Sequence, residues 1–317
     1  MQTAKFYLIF WSIILVFFSC AETEEISFTS YDSQTNDELT GIYFWHPGEG
    51  FVVGGSTWNR AIRLSTYDGG LRWQRDSLFD KQIFSLGYNT QGKVFGLGIE
   101  YMVYEFLLQS TDRQRIGDYR FFRSLDFVHP EQILAVGGES FGQGYLEKIN
   151  ALTGTTQQIL KIDHELDAIQ AVDQNHWVMA GYGVVFYSEN AGINWDTLGV
   201  SGDHYRDIFF VDETTGFIVG IQGSILRSDD GGRNWKTLRN PRSIFVKDRS
   251  FRTVCFKNKL EGLVGGEDGI LWQTKDGGEN WTILDGIPKV SYLDIFHDGI
   301  KYWICGSEGT IFDAIVK

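Results

Sequence analysis

The chain has 317 residues, of which 43% are hydrophobic and 22% are charged, and this ordinary balance excludes disordered, collagenous and coiled-coil classes. Its formal net charge of −13 argues against a basic surface that binds nucleic acid. Glycine is frequent at 37 residues, proline is rare at 4, and aromatic residues make up 15%. Such a composition is typical of many short strands joined by glycine turns.

The N-terminal residues have the pattern of an export signal. Residues 1–19 carry one charge, at Lys5, and residues 6–18 form an apolar run. That run is shorter than the roughly 20 residues that a membrane-spanning helix needs, but it fits the apolar region of a secretory signal. Ser19-Cys20 then resembles a bacterial lipoprotein processing site, which implies that Cys20 becomes a lipidated N-terminus. The alternative is an ordinary signal peptide cleaved near Ala21, with Cys20 lost.

A short apolar strand ending in glycine recurs along the chain. The leading glycines are spaced 42, 41, 44, 39, 45 and 41 residues apart, at Gly54, Gly96, Gly137, Gly181, Gly220, Gly265 and Gly306. Seven strand-like units with a period in the forties indicate a seven-bladed β-propeller, an all-β fold.

A second motif lies between two strands of several repeats. The segment 228–235 (Ser-Asp-Asp-Gly-Gly-Arg-Asn-Trp) recurs at 274–281, with an extra residue at 65–73 and in weakened form at 188–195. Asp followed by two glycines predicts a hairpin turn, and the Trp is expected to pack back on its blade. These structural positions are Asp68, Trp73, Trp195, Asp230, Trp235, Asp276 and Trp281.

The repeat spacing also predicts how the ring closes. Blade 5 is expected to contain four strands, over 206–211, 216–220, 224–228 and 234–238. In blade 7 the fourth strand would fall beyond the C-terminus, near residue 321. The alternating segment 26–31 is therefore predicted to complete blade 7 and remove its open edge. The predicted organisation is a signal peptide over 1–19, an acidic tether over 20–25 and one propeller domain over 26–317.

The turn motif, preceded by Gly-x-φ-φ-x-Ser (φ being an apolar residue), resembles the Asp-box or BNR repeat. The unit 216–235 is similar to the photosystem II stability/assembly factor family. The resemblance covers residues 41–317, most strongly in blades 5 and 6. It implies a seven-bladed propeller, and it implies an assembly factor that binds protein subunits. Because many relatives occur without photosystems and are secreted or lipid-anchored, we expect a non-photosynthetic lipoprotein at the periplasmic or outer face of a bacterial envelope.

One constellation recurs at the start of the first strand of several blades. Each of three arginines follows an aromatic residue, and in our alignment Tyr292 and Leu166 hold the arginine position in blades 7 and 4. Because the first strand is innermost, these side chains are predicted at the channel mouth, where they would bind an anion or a peptide carboxylate. The alternative is that each arginine only pairs with an acid such as Asp207. The predicted site comprises Arg123, Arg206, Arg252, Phe122, Tyr205, Phe251 and Tyr292.

Three arginines on Asp-box blades are also similar to the carboxylate-binding set of sialidases. A glycosidase or a glycan-binding protein is therefore the alternative function, and a pair of channel carboxylates with raised pKa values would favour it, with Asp207 and Asp294 as candidates. However, Arg60-Ala-Ile-Arg63 lacks the proline of the sialidase motif, and no Tyr/Glu nucleophile pair can be assigned.

The remaining searches favour a protein without a catalytic centre. The six histidines are dispersed and Cys-x-x-Cys is absent, so no metal or cofactor is expected. Besides Cys20, the cysteines are Cys255 and Cys305, expected as half-buried strand residues, although a disulfide between them stays possible. We predict a monomeric, non-catalytic, envelope-anchored scaffold that binds a protein or peptide partner and no nucleic acid.

Overall fold

The structure is a computed structural model that describes residues 27–78, 81–100, 102–117, 120–139, 141–240 and 249–315. The predicted signal peptide, Cys20, the acidic tether and Ile26 lie outside the described residues. Among the described residues, no helix is long and apolar enough to cross a membrane.

The described residues form seven antiparallel sheets of four strands each, which we number as blades 1 to 7 in chain order. Blade 1 contains Glu38–His46 (β2), Glu49–Ser56 (β3), Arg60–Thr66 (β4) and Gln74–Ser77 (β5). Blade 2 contains Ile83–Tyr88 (β6), Val94–Gly98 (β7), Met102–Phe106 (β8) and Thr111–Arg115 (β9). Blade 3 contains Phe122–His129 (β10), Gln132–Glu139 (β11), Gln143–Asn150 (β12) and Thr156–Ile162 (β13).

The second half of the ring repeats this arrangement. Blade 4 contains Leu166–Ala171 (β14), Trp177–Gly181 (β15), Val184–Ser188 (β16) and Asp196–Thr197 (β17). Blade 5 contains Tyr205–Phe210 (β18), Gly216–Gly220 (β19), Ile225–Ser228 (β20) and Lys236–Arg239 (β21). Blade 6 contains Phe251–Phe256 (β22), Gly262–Gly266 (β23), Leu271–Thr274 (β24) and Thr282–Ile283 (β25). Short 3₁₀ turns follow the second strands of blades 6 and 7, at Glu267–Gly269 and Ser307–Gly309.

Blade 7 joins the two ends of the described chain. Its strands are Tyr292–His297 (β26), Tyr302–Gly306 (β27), Ile311–Ile315 (β28) and, as the fourth, Ser27–Tyr31 (β1). Strand β1 pairs antiparallel with β28 from Ser27↔Ile315 to Tyr31↔Ile311. The Tyr31 hydroxyl also donates a hydrogen bond to Asp313 at 2.6 Å. The seven-bladed fold and its closure by an N-terminal strand are therefore confirmed, and the closure removes the unpaired edge that an open ring would expose.

The core lies between neighbouring blades. Trp303 of blade 7 stacks on Phe44 of blade 1 at a centroid distance of 4.1 Å, and Phe217 of blade 5 stacks on Phe256 of blade 6 at 3.6 Å. Trp303, Phe217 and Phe256 are at most 3% exposed. Since each sheet has one apolar face against each neighbour, burial of these faces holds the ring together.

The Asp-box turns connect the third and fourth strands of their blades. In blade 5, Ser228 Oγ accepts the N–H of Gly232, Asp230 Oδ1 accepts the N–H of Asn234, and Trp235 Nε1 donates to the carbonyl of Gly232. Gly232 has a φ of +92°, which a residue with a side chain rarely adopts. These bonds satisfy the polar groups of the turn from within the motif, so the motif stabilises the connection between the third and fourth strands of its blade.

Blade 2 lacks the motif, and a neighbouring blade stabilises its turn instead. The guanidinium of Arg63, on β4 of blade 1, donates to the carbonyls of Ser110 at 2.6 Å and Leu108 at 2.9 Å. It also donates to Thr111 Oγ1 at 3.1 Å. Arg63 is 1% exposed. Both of the chain's arginines in the Arg60-Ala-Ile-Arg63 segment thus have structural contacts, since Arg60 pairs with Asp37 at 2.8 Å.

Cys255 and Cys305 are both free and fully buried, at 3% and 0% exposure. The expectation that they are unpaired strand residues is therefore confirmed, whereas the expectation that they are half-buried was wrong. Burial raises the pKa of both thiols, because the apolar surroundings disfavour the thiolate.

Candidate functional site

Each innermost strand carries a β-bulge at the same place, near its start. The register with the second strand shifts between Phe122 and Ser124 in blade 3, and the same shift occurs in the other six blades. A bulge re-aims the side chain of its extra residue. The seven extra residues line the central channel, whose two cavities measure about 290 and 370 Å³, and they are Thr40, Phe84, Arg123, Asp167, Arg206, Arg252 and Leu293.

The structure brings the three predicted arginines together on this channel wall. It corrects the alignment of two other blades by one residue. Tyr292 pairs with Gly306 as Tyr205 pairs with Gly220, so the arginine position in blade 7 is Leu293. Leu166 likewise pairs with Gly181, so the arginine position in blade 4 is Asp167. The alignment failed because the sequence does not show which residue of each bulge is the extra one.

The four predicted aromatic residues do not line the channel. Phe122, Phe251 and Tyr292 are 0% exposed and Tyr205 is 1% exposed. They belong to the apolar clusters between blades, where Phe122 contacts Tyr145 edge-on at 5.3 Å. Their assignment to the ligand-contacting set was therefore wrong, because the bulge aims only its extra residue, the arginine or its equivalent, at the channel and leaves the preceding aromatic in the core. They pack in the core against the strands that carry the arginines.

Each arginine forms an ion pair with an acidic residue that the sequence reasoning did not identify. Arg123 Nη2 lies 3.4 Å from Glu165 Oε1, and Arg206 Nη1 lies 2.6 Å from Asp167 Oδ1. Arg252 pairs with Glu267, its Nε 2.9 Å from Oε1. Between 24% and 30% of each arginine side chain is exposed, so the guanidinium groups face the channel and not bulk solvent.

The pairing leaves guanidinium donors unused. Arg123 Nε is buried and has no hydrogen-bond partner among the described residues. The same guanidinium lies over the ring of Phe84, 5.2 Å from its centroid. A guanidinium carries five N–H donors, and an unpartnered buried donor costs free energy. Because Arg123 Nε is buried, an anion in the channel could reach only the other, partly exposed guanidinium N–H groups of the three arginines.

Several neighbouring charges shift the pKa of Arg206. Burial lowers the pKa of Arg206, Asp167 opposes that shift, and the positive charges of Arg252 and Arg123 lower it further. Burial alone would raise the pKa of Asp167, but the hydrogen bond from His204 and the charge of Arg206 outweigh it and lower that pKa. His204 Nε2 and Asp167 Oδ2 form a short hydrogen bond. Asp167 thus contacts both His204 and Arg206.

Three further carboxyl groups lie deeper in the channel, and they connect blades. Asp207 accepts the N–H groups of Ile208 and, in the next blade, Val254, both at 2.9 Å. Asp294 does the same with Ile295 and with Ile42 of blade 1, and Asp126 with Phe127 and with Ala171 of blade 4. Asp207 therefore does not pair with Arg206, but the alternative that each arginine pairs with an acid holds, with Glu165, Asp167 and Glu267 as the acids.

Burial raises the pKa of all three groups, to about 7 for Asp126 and Asp207 and to about 6 for Asp294, against the opposing effect of the backbone N–H donors. The charge of Asp294 raises the pKa of Asp207 further. These carboxyls titrate near neutrality because the channel wall solvates their charge poorly. In the part of the chain that the structure describes, no group of three or more His, Cys, Asp or Glu side chains is placed to hold a metal ion.

Comparisons with known proteins identify the repeats. Residues 194–291, about a third of the chain, match the family model described as "Photosynthesis system II assembly factor YCF48". The chloroplastic photosystem II stability/assembly factor HCF136 of Guillardia theta is 38% identical over 66 residues. That match covers 20% of this chain and 16% of the relative, so the chain matches about a sixth of the curated relative's length.

Solved structures resemble the whole ring. A structure of YCF48 bound to D1 peptide has a TM-score of 0.70 at 16% identity and covers 93% of this chain and 96% of that chain. The WD40 β-propeller domain of Doa1 has the same TM-score at 13% identity over 93% and 98%. YCF48 from Cyanidioschyzon merolae scores 0.67 at 13% identity over 90% and 98%. Because a WD40 domain scores equally well, this likeness identifies the fold alone. The chain is thus a seven-bladed β-propeller whose residues 194–291 match the family model of a photosystem II assembly factor.

Proposed function

We propose that this protein is a non-catalytic scaffold that binds a protein or peptide partner through an anionic group held by Arg123, Arg206 and Arg252. The observation that carries the proposal is the convergence of the three guanidinium groups on one channel wall. Arginine binds carboxylates in two-point geometry, and the confined channel strengthens such contacts relative to water. The solved YCF48 that was bound to a D1 peptide supports a peptide as the type of partner.

The arrangement of the strands supports a particular orientation at a membrane. Strand β1 starts at Ser27 beside Ile315, at the face of the propeller that carries the Asp-box turns. The arginines lie near the starts of the innermost strands, at the opposite face. We propose that Cys20 is lipidated on a bacterial envelope. The six residues 21–26 could then span at most about 20 Å between Cys20 and strand β1. The Asp-box face would then face the membrane, and the channel mouth would be open to a partner.

The test of this function is partner capture from the native envelope followed by a defined binding assay. Wild type is compared with a triple variant, Arg123→Ala, Arg206→Ala and Arg252→Ala. The matched control removes three exposed cations at the Asp-box face, through Arg72→Ala, Arg233→Ala and Lys236→Ala, so that both variants change the net charge equally. Peptides with free C-terminal carboxylates and their amidated counterparts serve as probes.

We expect wild type and the control to bind the same partner and to prefer the free carboxylate, and the channel triple variant to lose both properties. Thermal unfolding of all three proteins verifies that the fold is intact. Equal binding by the channel variant would contradict the site assignment. Binding that ignores the carboxylate would contradict the anionic recognition.

A glycosidase is the second candidate, because Asp207 and Asp294 have the raised pKa values that this alternative requires. Against it, both oxygens of each carboxyl accept backbone N–H groups, which is a structural arrangement. Fluorogenic glycosides, including a sialoside, test this candidate directly. Hydrolysis by wild type that is lost in Asp207→Asn would favour the enzyme over the scaffold.

A further inference from the structure

A second cleft lies on the opposite face of the ring, between blades 6 and 7. Its volume is about 280 Å³. It is bounded by the turn between β22 and β23, the end of β24 and the turn between β26 and β27. The polar side chains that line it are Lys257, Glu261, Gln273, Lys275, His297 and Lys301.

The cleft exists because blade 7 is closed by strands from the two ends of the chain. Between blades 5 and 6, the Asp-box turn of the later blade fills this region, and its Gly277 carbonyl accepts a hydrogen bond from Arg227 of the earlier blade at 2.9 Å. Between blades 7 and 1, Gly70 of the Asp-box packs against Trp303. In blade 7 no Asp-box turn joins the third strand, β28, to the fourth strand, β1, since β1 comes from the other end of the chain. Among the described residues, the corresponding space beside blade 6 therefore stays open.

Gln273 of blade 6 is the residue that such a turn would contact. It occupies the repeat position of Arg227, since Leu263↔Gln273 corresponds to Phe217↔Arg227 in the strand register. Gln273 is only 4% exposed, and its Oε1 has no hydrogen-bond partner among the described residues. A buried acceptor without a donor is unfavourable. Because its amide can turn about its last torsion angle, Gln273 can present either its acceptor or its donor to the cleft.

The other lining groups are mainly donors. Lys257, Lys275 and Lys301 carry positive charge, but Lys257 pairs with Glu261 at 2.8 Å and Lys301 pairs with Asp313. Burial lowers the pKa of His297, and the charge of Lys257 lowers it further. Its Nδ1 accepts the N–H of Gly299 at 3.1 Å, so the neutral ring carries its proton on Nε2. The cleft thus has local positive charge in a chain whose net charge is −13.

We propose that this cleft binds an acidic sugar unit, a sugar ring that carries a carboxylate or phosphate group beside free hydroxyls. The lysines and the His297 Nε2–H suit the anionic group. The Gln273 amide carries both an acceptor and donors, so a sugar hydroxyl can pair with it in either orientation, and Glu261 can accept a hydrogen bond from a second hydroxyl. The volume is at the lower end of the range for small-molecule sites, which fits one sugar unit.

The experiment measures binding of glucuronate and glucose 6-phosphate to the full chain by calorimetry, with glucose and inorganic phosphate as comparison probes. We expect both acidic sugars to bind at least about tenfold more tightly than glucose or phosphate. Equal binding of inorganic phosphate would overturn the sugar assignment, and equal binding of glucose would overturn the role of the charge. Absence of binding at millimolar concentrations would overturn the site.

Gln273→Leu tests the acceptor, and Ser65→Ala is its matched control. Ser65 holds the same repeat position in blade 1, and its buried Oγ also has no partner among the described residues. We expect Gln273→Leu to weaken the acidic sugars about tenfold without lowering the unfolding temperature, and Ser65→Ala to leave binding unchanged. Unchanged binding by Gln273→Leu would overturn the proposal. The triple arginine variant should bind the sugars as wild type does, so failure of the channel-mouth function and failure of this site are separately visible.

Discussion

The buried guanidinium of Arg63 is predicted to be a main stabilising contact of blade 2, and Arg63→Met tests this. Methionine keeps most of the apolar length of the side chain but removes all of its donors. The change removes the three hydrogen bonds to the turn that follows β8. It also removes the cation–π contacts of the guanidinium with Phe51 at 5.0 Å and Phe106 at 5.9 Å.

The size of the effect follows from two opposing contributions. Three hydrogen bonds from a charged donor contribute about 1.5 kcal/mol each, or about 4.5 kcal/mol together. Against this, burial lowers the pKa of Arg63, and no carboxylate of the described residues lies within ion-pair distance of it, so its removal recovers about 1–2 kcal/mol of desolvation. The net loss in the free energy of unfolding is about 3 kcal/mol. With about 2.1 cal/mol/K of unfolding entropy per residue, this corresponds to a fall of about 5 °C in Tm.

The assay is thermal and denaturant unfolding followed by tryptophan fluorescence, with Arg233→Met as control. Arg233 pairs with Glu189 at the surface, where both side chains are more than half exposed, and such pairs contribute little. We expect the control to cost less than about 1 kcal/mol. Hydrogen exchange should also speed up selectively in the turn after β8. If Arg63→Met is as stable as wild type or more stable, the desolvation cost of the buried cation outweighs its hydrogen bonds and our reasoning is refuted.

The remaining predictions concern the channel carboxyls, the thiols and the closing strand. Burial raises the pKa of Asp207 from 3.8 to about 7, so the folded protein binds a proton that the unfolded protein releases. The stability of wild type therefore falls as the pH rises from about 4 to about 7. Asp207→Asn should gain stability relative to wild type between pH 5 and pH 8, and a pH-independent difference in Tm would contradict this. Iodoacetamide and peptide mass spectrometry should find Cys255 and Cys305 unmodified in the native protein and modified after unfolding, whereas native labelling would contradict their burial. Tyr31→Phe, which removes the hydrogen bond to Asp313, should cost about 1 kcal/mol in denaturant unfolding, and no change would show that strand pairing alone holds the closure.

The fold was predictable because its signals are periodic. Glycines such as Gly220 and turns such as 228–235 recur at a nearly constant spacing, and each copy supports the others. The predicted strands of blade 5 end within two residues of the observed ones. The closing strand was also predictable, because a missing fourth strand and an alternating N-terminal segment are visible together. The turn of blade 2 was not, since its stability depends on Arg63 of another blade.

The site was predictable only in part, because a bulge breaks the alternation from which strand faces are inferred. The aromatic residue and the arginine after it are neighbours in sequence, yet Phe122 faces the core and Arg123 faces the channel. A one-residue error in the register of blade 4 was enough to hide Asp167, which binds both Arg206 and His204. A comparison of polar residues at one repeat position, such as Arg227 and Gln273, also indicates where a functional site lies. Arg227 finds a partner in the next Asp-box turn, whereas the Oε1 of Gln273 finds none among the described residues, where blade 7 has no such turn. In a repeat protein, function is therefore best sought where one copy lacks a partner that the other copies supply.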